Sequence, residues 1–458
     1  NQTTLHFAVL SGDLAVVSWL LELYAPQELV EDIDHLLPLQ YAARDCDVEI
    51  SELLLRGLAS RGNLDKIDAL GMFPIHWASF ISSTSLYQEL VTRGCPEDVK
   101  TPTTGWNLLH CALNGKKPST KDFNLQSNRK AFVEMLLNSK HGKQFSTEKT
   151  STGENCLHLL CMIGDVDLIE LFSDWKLLIN EVNEQGSSPL HYAVMNSSES
   201  CVLKLLNADA DVNLVDTDGN SCLMKTLTLL RDKSSVASVF AISIIDSLLA
   251  RDNIDLNIVN KSNESVFHFA CMFGHMGVVQ RIYQEFGSSL WQTSPINPIH
   301  YVAYGGNMDI FKYLDQQGAP IDSTDAQNAN ALFYSVFGDN ADLLEYELKQ
   351  NITYDIVYKG LKYVRMNVCQ LAALLGRTNC LRVLFRHIPA CATMRTAEKD
   401  TLLHLAARGG HYNCILLVIH HSTERNLQNA KHQTALDLLA SANLAYCESL
   451  FTNAPATV

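Results

Sequence analysis

At 458 residues, 47% of them apolar and only 19% charged, the chain is long and apolar enough to bury a core, which excludes intrinsic disorder. Its 35 basic against 50 acidic residues leave a net charge of −15, spread along the sequence, and this argues against nucleic acid or anionic lipid as the main partner. No stretch of about 18 uninterrupted apolar residues occurs, so no segment reads as a membrane-spanning helix or predicts direct membrane insertion.

A phrase of the type Thr-Pro-Leu-His, placed to open a short helix, returns from one end of the chain to the other. Its fourth residue is, in order, His6, Gln40, His76, His110, His158, His191, Met224, His268, His300, Phe333, Gln370, His404 and Asp437. Most intervals lie between 32 and 36 residues, and a period near 33 predicts a repeat array. Length alone implies two or three globular domains, but a repeat array can use residues 1–458 as one continuous body of about thirteen units. The first unit begins abruptly at Thr3 with no turn segment before it, and Asn1 is not a methionine. The expectation is an excised region whose first unit is covered by something upstream.

Within a unit the order of elements is regular. A turn segment comes first, as in Val215–Asn220 with Gly219 where a positive φ is easiest. A first helix follows: before His191, Ser188 is placed to cap it and Pro189 sits in its first turn. Small residues such as Ala372-Ala373 and Ala406-Ala407 let that helix lie close to a neighbour, and a glycine ends it, as at Gly12, Gly164, Gly274, Gly306, Gly376 and Gly410. A second helix carries an apolar pair near its end, for example Leu54-Leu55, Leu205-Leu206 and Leu248-Leu249. Such a unit cannot bury its apolar face alone.

Three long intervals mark insertions, near residues 114–130, 227–246 and 350–364. The first, from Asn114 to Asn128, is polar and reads as a solvated loop. The second is helix-compatible and reads as longer helices, and the third, rich in tyrosine and β-branched residues, reads as an enlarged hairpin. Ala440 to Phe451 can form a closing helix, with Thr452 to Val458 as a short tail.

Phrases such as Thr401-Leu-Leu-His-Leu-Ala-Ala-Arg-Gly-Gly-His411 and Ser265-Val-Phe-His-Phe-Ala-Cys-Met-Phe-Gly-His275 closely resemble the ankyrin repeat, and the resemblance covers essentially the whole chain. It implies an all-α solenoid of helix-turn-helix units with short β-hairpin loops. It also implies that the phrase histidine bonds the neighbouring backbone and ties repeats together. Met224, Phe333, Gln370 and Asp437 depart from that histidine, and Asn263 and Asn328 stand where a hairpin glycine is usual; asparagine tolerates the left-handed conformation.

Sites for chemistry are sparse. Eight of the 16 histidines occupy the phrase, and His275 and His411 follow the break glycine. The cluster Cys156-Leu-His-Leu-Leu-Cys161 has uneven ligand spacing and falls on core positions, which argues against a metal site. His420-His421 point to different sides of a helix. No phosphate loop, nucleophile elbow or His-Glu-x-x-His helix occurs, so neither a catalytic role nor a cofactor is expected. The 13 cysteines are odd in number and mostly lie in apolar helical phrases, as expected of core residues in a reducing, cytoplasmic setting.

Function is therefore expected on exposed surface. In the ankyrin family the hairpin tips and the residues just ahead of the break glycine recognise proteins on a concave face, and those positions are usually polar. Here they read Leu10, Met162-Ile163, Met195, Met272-Phe273, Tyr304, Phe337 and Leu374-Leu375. Two readings of this apolar stripe stand: burial between neighbouring first helices, or a groove for an apolar partner segment. Large residues after the phrase histidine, including Tyr192, Tyr301 and Tyr334, read mainly as packing between units. Trp106 and Trp291, near hairpin tips, are candidate contact anchors.

The reading is a non-catalytic scaffold that binds a protein or peptide on its concave face, acidic surroundings favouring basic segments. The alternatives are a cytosolic sensor region of a larger membrane channel or multidomain enzyme, and a self-assembling structural protein.

Overall fold

Each phrase becomes the first turn of a helix because its opening and fourth residues cap that helix reciprocally. In the computed structural model, which describes residues 2–23, 31–32, 36–44, 47–60, 67–68, 70–115, 123–231, 236–287, 290, 297–360, 365–421 and 425–441, Asn155 Oδ1 accepts the His158 N–H at 3.1 Å and His158 Nδ1 accepts the Asn155 N–H at 3.2 Å. The same reciprocal pair recurs at Thr3–His6 and Thr401–His404, and at Ser188–His191 and Ser265–His268 the ring Nδ1 likewise accepts the serine N–H, at 3.2 and 3.0 Å. Each such cap contributes about 1 kcal/mol. With Nδ1 accepting, the ring proton belongs on Nε2. That N–H donates one repeat further on, from His6 to the Leu36 carbonyl at 3.0 Å, His158 to Ser187 at 2.9 Å and His404 to Gln433 at 2.9 Å. One side chain thus closes its own helix and fastens the next unit.

At three of the departures an oxygen replaces the ring nitrogen. Gln40 Oε1 accepts the Leu37 N–H at 2.6 Å, Gln370 Oε1 accepts the Asn367 N–H at 3.0 Å, and Asp437 accepts the Thr434 N–H at 2.7 Å. Met224 and Phe333 offer no such atom and are fully buried instead.

By its contacts the chain divides into two units, residues 1–229 with 234–254 and residues 230–233 with 255–458. In the first unit, successive helix pairs are α1 (Thr4–Ser11) and α2 (Leu14–Leu23), α3 (Pro38–Arg44) and α4 (Val48–Ser60), and α5 (Pro74–Phe80) and α6 (Thr84–Thr92). These are followed by α7 (Leu108–Asn114), α8 (Phe123–Leu137) and an additional α9 (Gly142–Thr147), then α10 (Cys156–Ile163) and the single-turn α11 (Val166–Ile169). The unit ends with α12 (Pro189–Met195) and α13 (Glu199–Asn207), and α14 (Cys222–Thr228) and α15 (Val236–Leu249). The second unit pairs α16 (Val266–Phe273) with α17 (Met276–Phe286), α18 (Pro298–Gly305) with α19 (Met308–Gln316), and α20 (Ala331–Gly338) with α21 (Ala341–Lys349). It continues through α22 (Val368–Leu374) and α23 (Thr378–His387), α24 (Leu402–Gly409) and α25 (Tyr412–His421), and α26 (Ala435–Ser441). First helices pack on first helices and second on second, as α16, α18, α20, α22 and α24 do in sequence. The apolar pairs fill the layer between, with Leu54, Leu55, Leu205, Leu206 and Leu248 all buried.

Hairpin tips are joined by backbone bonds between repeats. In the first unit Glu184 N–H donates to the Thr152 carbonyl at 3.0 Å and Thr217 N–H to Gln185 at 2.8 Å; in the second, Lys359 N–H donates to Gln327 at 2.7 Å and Ala430 N–H to Glu398 at 2.8 Å. Asn263 and Asn328 hold φ of 65° and 63°, the left-handed turn expected of them.

The insertions resolve differently. The polar stretch expected as a loop from 114 to 128 is helical from Phe123, and α9 takes up further length; residues 116–122 lie outside the described residues. Packing of α9 on α7 and α8, with Phe145 buried, accounts for the extra length better than an extended bend. The second insertion is the long α15, as its composition indicated. The third is an enlarged hairpin closed by pairing of Tyr358 with Met366; residues 361–364 lie outside the described residues, as does the expected closing segment beyond Ser441.

Candidate functional site

The face ahead of the break glycines is built by the C-terminal ends of the first helices, where carbonyl groups lack intrahelical donors. The residue after each break supplies them from the next repeat. Asn307 Nδ2 donates to the Cys271 and Met272 carbonyls at 2.9 Å each, Asn340 Nδ2 to Ala303 and Tyr304 at 2.8 Å each, and Arg377 Nη2 to Phe337 at 3.0 Å. This clamp explains why Gly274 and Gly306 are glycine beyond their φ of 87° and 71°: a Cβ at either would come within 2.3 Å of the clamping asparagine.

In the second unit the stripe is exposed enough to be reached. Met272, Phe273, Phe337 and Leu374 are half-buried, and Tyr304 is 41% exposed. Met272, Phe273, Tyr304 and Phe337 come together around an open cavity of about 300 Å³. Gly305 and Gly338, whose missing side chains let α18 and α20 lie close on the preceding first helices, line it together with Leu230, Arg231, Asn307 and Arg377. Leu374 is not part of it. That volume is at the lower end of ligand-pocket sizes and holds one anchoring side chain with its neighbour rather than a whole ligand.

In the first unit Met162 and Met195 are 41% and 60% exposed on α10 and α12, whereas Ile163 is buried and belongs to the core. Its position at the last turn of α10, just before Gly164, turns it inward. Trp106 is half-buried at the base of its hairpin, where its carbonyl accepts the Thr101 N–H at 2.9 Å. Trp291 lies outside the described residues.

Two of the aromatic residues after the phrase histidines, Tyr192 and Tyr301, are structural, whereas Phe7 after His6 is exposed. Tyr301 lies edge-on to the His268 ring at 4.9 Å and its hydroxyl donates to Glu264 at 2.8 Å; Tyr192 does the same with His158 and Glu154. That bond and burial push the Tyr192 hydroxyl up to about 12, so it stays a donor. Among the described residues, no group of three His, Cys, Asp or Glu side chains is placed to hold a metal ion, and no helix is long and apolar enough to cross a membrane.

Sequence reasoning missed the two close-packing glycines, Gly305 and Gly338, and the two arginines. The signal for the first was visible: in Gly305-Gly306 the second glycine ends the helix, leaving the first without a turn to explain it. A Cβ on Gly305 would lie 1.9 Å from the Met272 carbonyl oxygen, so α18 reaches α16 only because the side chain is missing. Gly305→Ala is expected to cost about 2 kcal/mol through overpacking, read as a lower urea midpoint. Gly277→Ala, at a helical glycine of α17 whose Cβ would meet nothing nearer than the His275 ring at 3.4 Å, controls for the change in helical backbone alone; a Gly305→Ala loss no larger than that control would show that the two helices separate freely.

Stacked antiparallel helix pairs, linked by hairpins and presenting a surface of half-buried apolar side chains, define a helical repeat protein that offers a face rather than an enclosed active site. The chain contains ankyrin repeats: family models described as "Ankyrin repeats (3 copies)" and "Ankyrin repeat" match residues 124–216 and 398–430. It is 25% identical over 173 residues to "Ankyrin repeat protein nuc-2" of Neurospora crassa, covering 37% of this chain and 15% of that protein. It is 23% identical over 189 residues to the "Transient receptor potential cation channel subfamily A member 1 homolog" of Caenorhabditis elegans, covering 41% of this chain and 15% of that one. The matched region thus spans about one seventh of the length of these relatives. Among solved structures, a chain of "Bd0816 Predatory Endopeptidase from Bdellovibrio bacteriovorus in complex with immunity protein Bd3460" aligns at a TM-score of 0.36 and 23% identity, over 43% of this chain and all of that one. Ankyrin repeats are generally protein-interaction modules and usually non-catalytic.

Proposed function

We propose that this chain is a non-catalytic scaffold that captures a partner protein or peptide on the first-helix face of its second unit. The observation that carries the reading is the convergence of Met272, Phe273, Tyr304 and Phe337, from three successive first helices, around one open cavity. Methionine and aromatic side chains adapt to an apolar anchor, and a rigid stack of helices presents them with little ordering cost on binding. Leu374 lies on the first helix after the cavity, and within the first unit Met162 and Met195 are candidate contacts in their own right. The net charge of −15 favours basic segments of the partner along the rest of the surface. The 11 described cysteines are all buried, as core side chains of a reducing, cytoplasmic setting are, and this supports that setting.

Replacing Met272, Phe273 and Tyr304 together by serine is expected to abolish partner capture while the unfolding temperature stays within a few degrees. Unchanged capture by the folded variant would sink the proposal. A second reading, a regulatory region of a larger membrane channel or multidomain enzyme, draws on the likeness to the Caenorhabditis elegans channel homologue. The full-length reading frame tests it: a transmembrane block or catalytic motif elsewhere in the frame supports it.

A further inference from the structure

The charge inside the cavity runs against the charge of the whole chain. Its lining carries two arginines and no carboxylate, although the chain carries 50 acidic residues to 35 basic. Arg231 is exposed and has no ion-pair partner among the described residues. Arg377 occupies the clamp position that Asn307 and Asn340 fill in the two preceding repeats. A short amide suffices there, since each asparagine caps the carbonyl end of the previous first helix with one nitrogen. Arg377 performs that capping with Nη2 alone, at 3.0 Å from the Phe337 carbonyl. Its Nε is buried without a partner, and its Nη1 stands 3.8 Å from Asp339, itself 42% exposed at the side chain. An arginine at this point therefore keeps donors beyond the one its capping needs, and its charge is shared within the fold only with the long, half-exposed pair to Asp339.

We infer that the cavity selects an apolar side chain flanked by a carboxylate: the ring or branched chain seats against Phe273, Tyr304 and Phe337, and the carboxylate is held by Arg231 and Arg377. This rests on the reading of that face as the docking surface and specifies its occupant as an acidic-apolar peptide segment. Carboxylate and guanidinium match in two-pronged geometry, and a pair at the mouth of a low-dielectric cavity is screened less than one on open surface. Basic segments favoured by the overall charge would meet the acidic surface outside the cavity, and the two preferences together give a partner an orientation.

The test uses the full chain and three fluorescein-labelled peptides with the same Phe-Leu centre, flanked by aspartate, asparagine or lysine, followed by fluorescence anisotropy. The aspartate peptide is expected to bind at least tenfold more tightly than the asparagine peptide, with the lysine peptide weakest and the preference shrinking in 0.5 M salt. Arg231→Gln, an exposed change that leaves the helix caps intact, is expected to reduce the preference severalfold, and Arg377→Gln further. Equal affinities for the three peptides, all lost in Tyr304→Ser, would overturn the charge assignment and leave the docking surface standing. Binding that survives Tyr304→Ser would overturn both, and no binding by any peptide would overturn the inference of an acidic-apolar occupant.

Discussion

Lowering the pH from 7 to 4 is expected to cost the first unit about 5 to 10 kcal/mol of stability, most of it through three phrase histidines. His76, His110 and His158 are fully buried, and that burial pushes each imidazole down to about 4. The geometry fixes the neutral form independently, because Nδ1 of His76 and of His158 accepts a backbone N–H and has no room for a proton. In the unfolded chain each ring takes up a proton near pH 6.5, whereas in the folded unit it does so only near 4. The unfolded state therefore binds more protons throughout that window, and stability falls as the pH drops through it, by about 3 kcal/mol per ring. Glu97, Glu148 and Glu154 are held below the usual carboxylate range, Glu97 by Tyr87 and Lys140, Glu148 by Asn107 and Lys100, and Glu154 by Thr150 and Thr152. They add to the loss below about pH 4.5. Four of the five tryptophans, Trp19, Trp77, Trp106 and Trp175, lie in this unit, so urea unfolding followed by tryptophan fluorescence reads it directly. A urea midpoint that stays flat from pH 7 to pH 5 would show that the rings ionise in place.

The neutral histidine is also the measure of how far the sequence could be read. Period, phrase and break glycine revealed a stacked helical repeat because they act locally: capping needs only residues three apart, and a left-handed turn needs only one. The same locality let Asn263 and Asn328 be read as turn residues. What stayed hidden depends on where the next repeat arrives. Gln40, Gln370 and Asp437 looked like losses of the histidine, yet an oxygen at the right reach keeps the cap. The stripe ahead of the break glycines was visible as composition but not as geometry. Burial of Ile163 against the exposure of Met162 follows from which way the last turn of α10 faces, and a phrase count has no angle in it. Nor does spacing show that Gly305 and Gly338 bring three first helices close enough to share a cavity beside Arg231 and Arg377. The polar stretch after Asn114 misled because solvated helix and solvated loop share a composition, and only the packing of α8 and α9 separates them.

In the second unit the strongest pH dependence has the opposite sign, and Glu347→Gln is expected to expose it. Glu347 lies on α21, fully buried, where burial pushes its carboxyl up to about 8. Its Oε1 is 3.0 Å from the Ser335 hydroxyl, and that hydroxyl lies 3.5 Å from the Ala303 carbonyl; its Oε2 is buried with no partner. A protonated acid suits this site, since it can donate to Ser335 Oγ while the serine donates onward to Ala303. An ionised one would leave a charge with a single neutral hydrogen bond and no cation in contact, which is costly in a dry interior. The unfolded chain ionises near pH 4.5 and the folded chain only near 8, so the stability this group contributes is complete below 4.5 and is lost as the pH rises towards 8. Glutamine keeps the shape without the titration, at a cost of about 1 kcal/mol for the amide hydrogens left without an acceptor. The variant should therefore be no more stable than the wild type at pH 5 and more stable by about 3 kcal/mol at pH 8. Thermal unfolding of both proteins at the two pH values supplies the comparison. A difference that does not change with pH would mean that the carboxyl ionises inside the fold, with water or a shifted Arg377 reaching it.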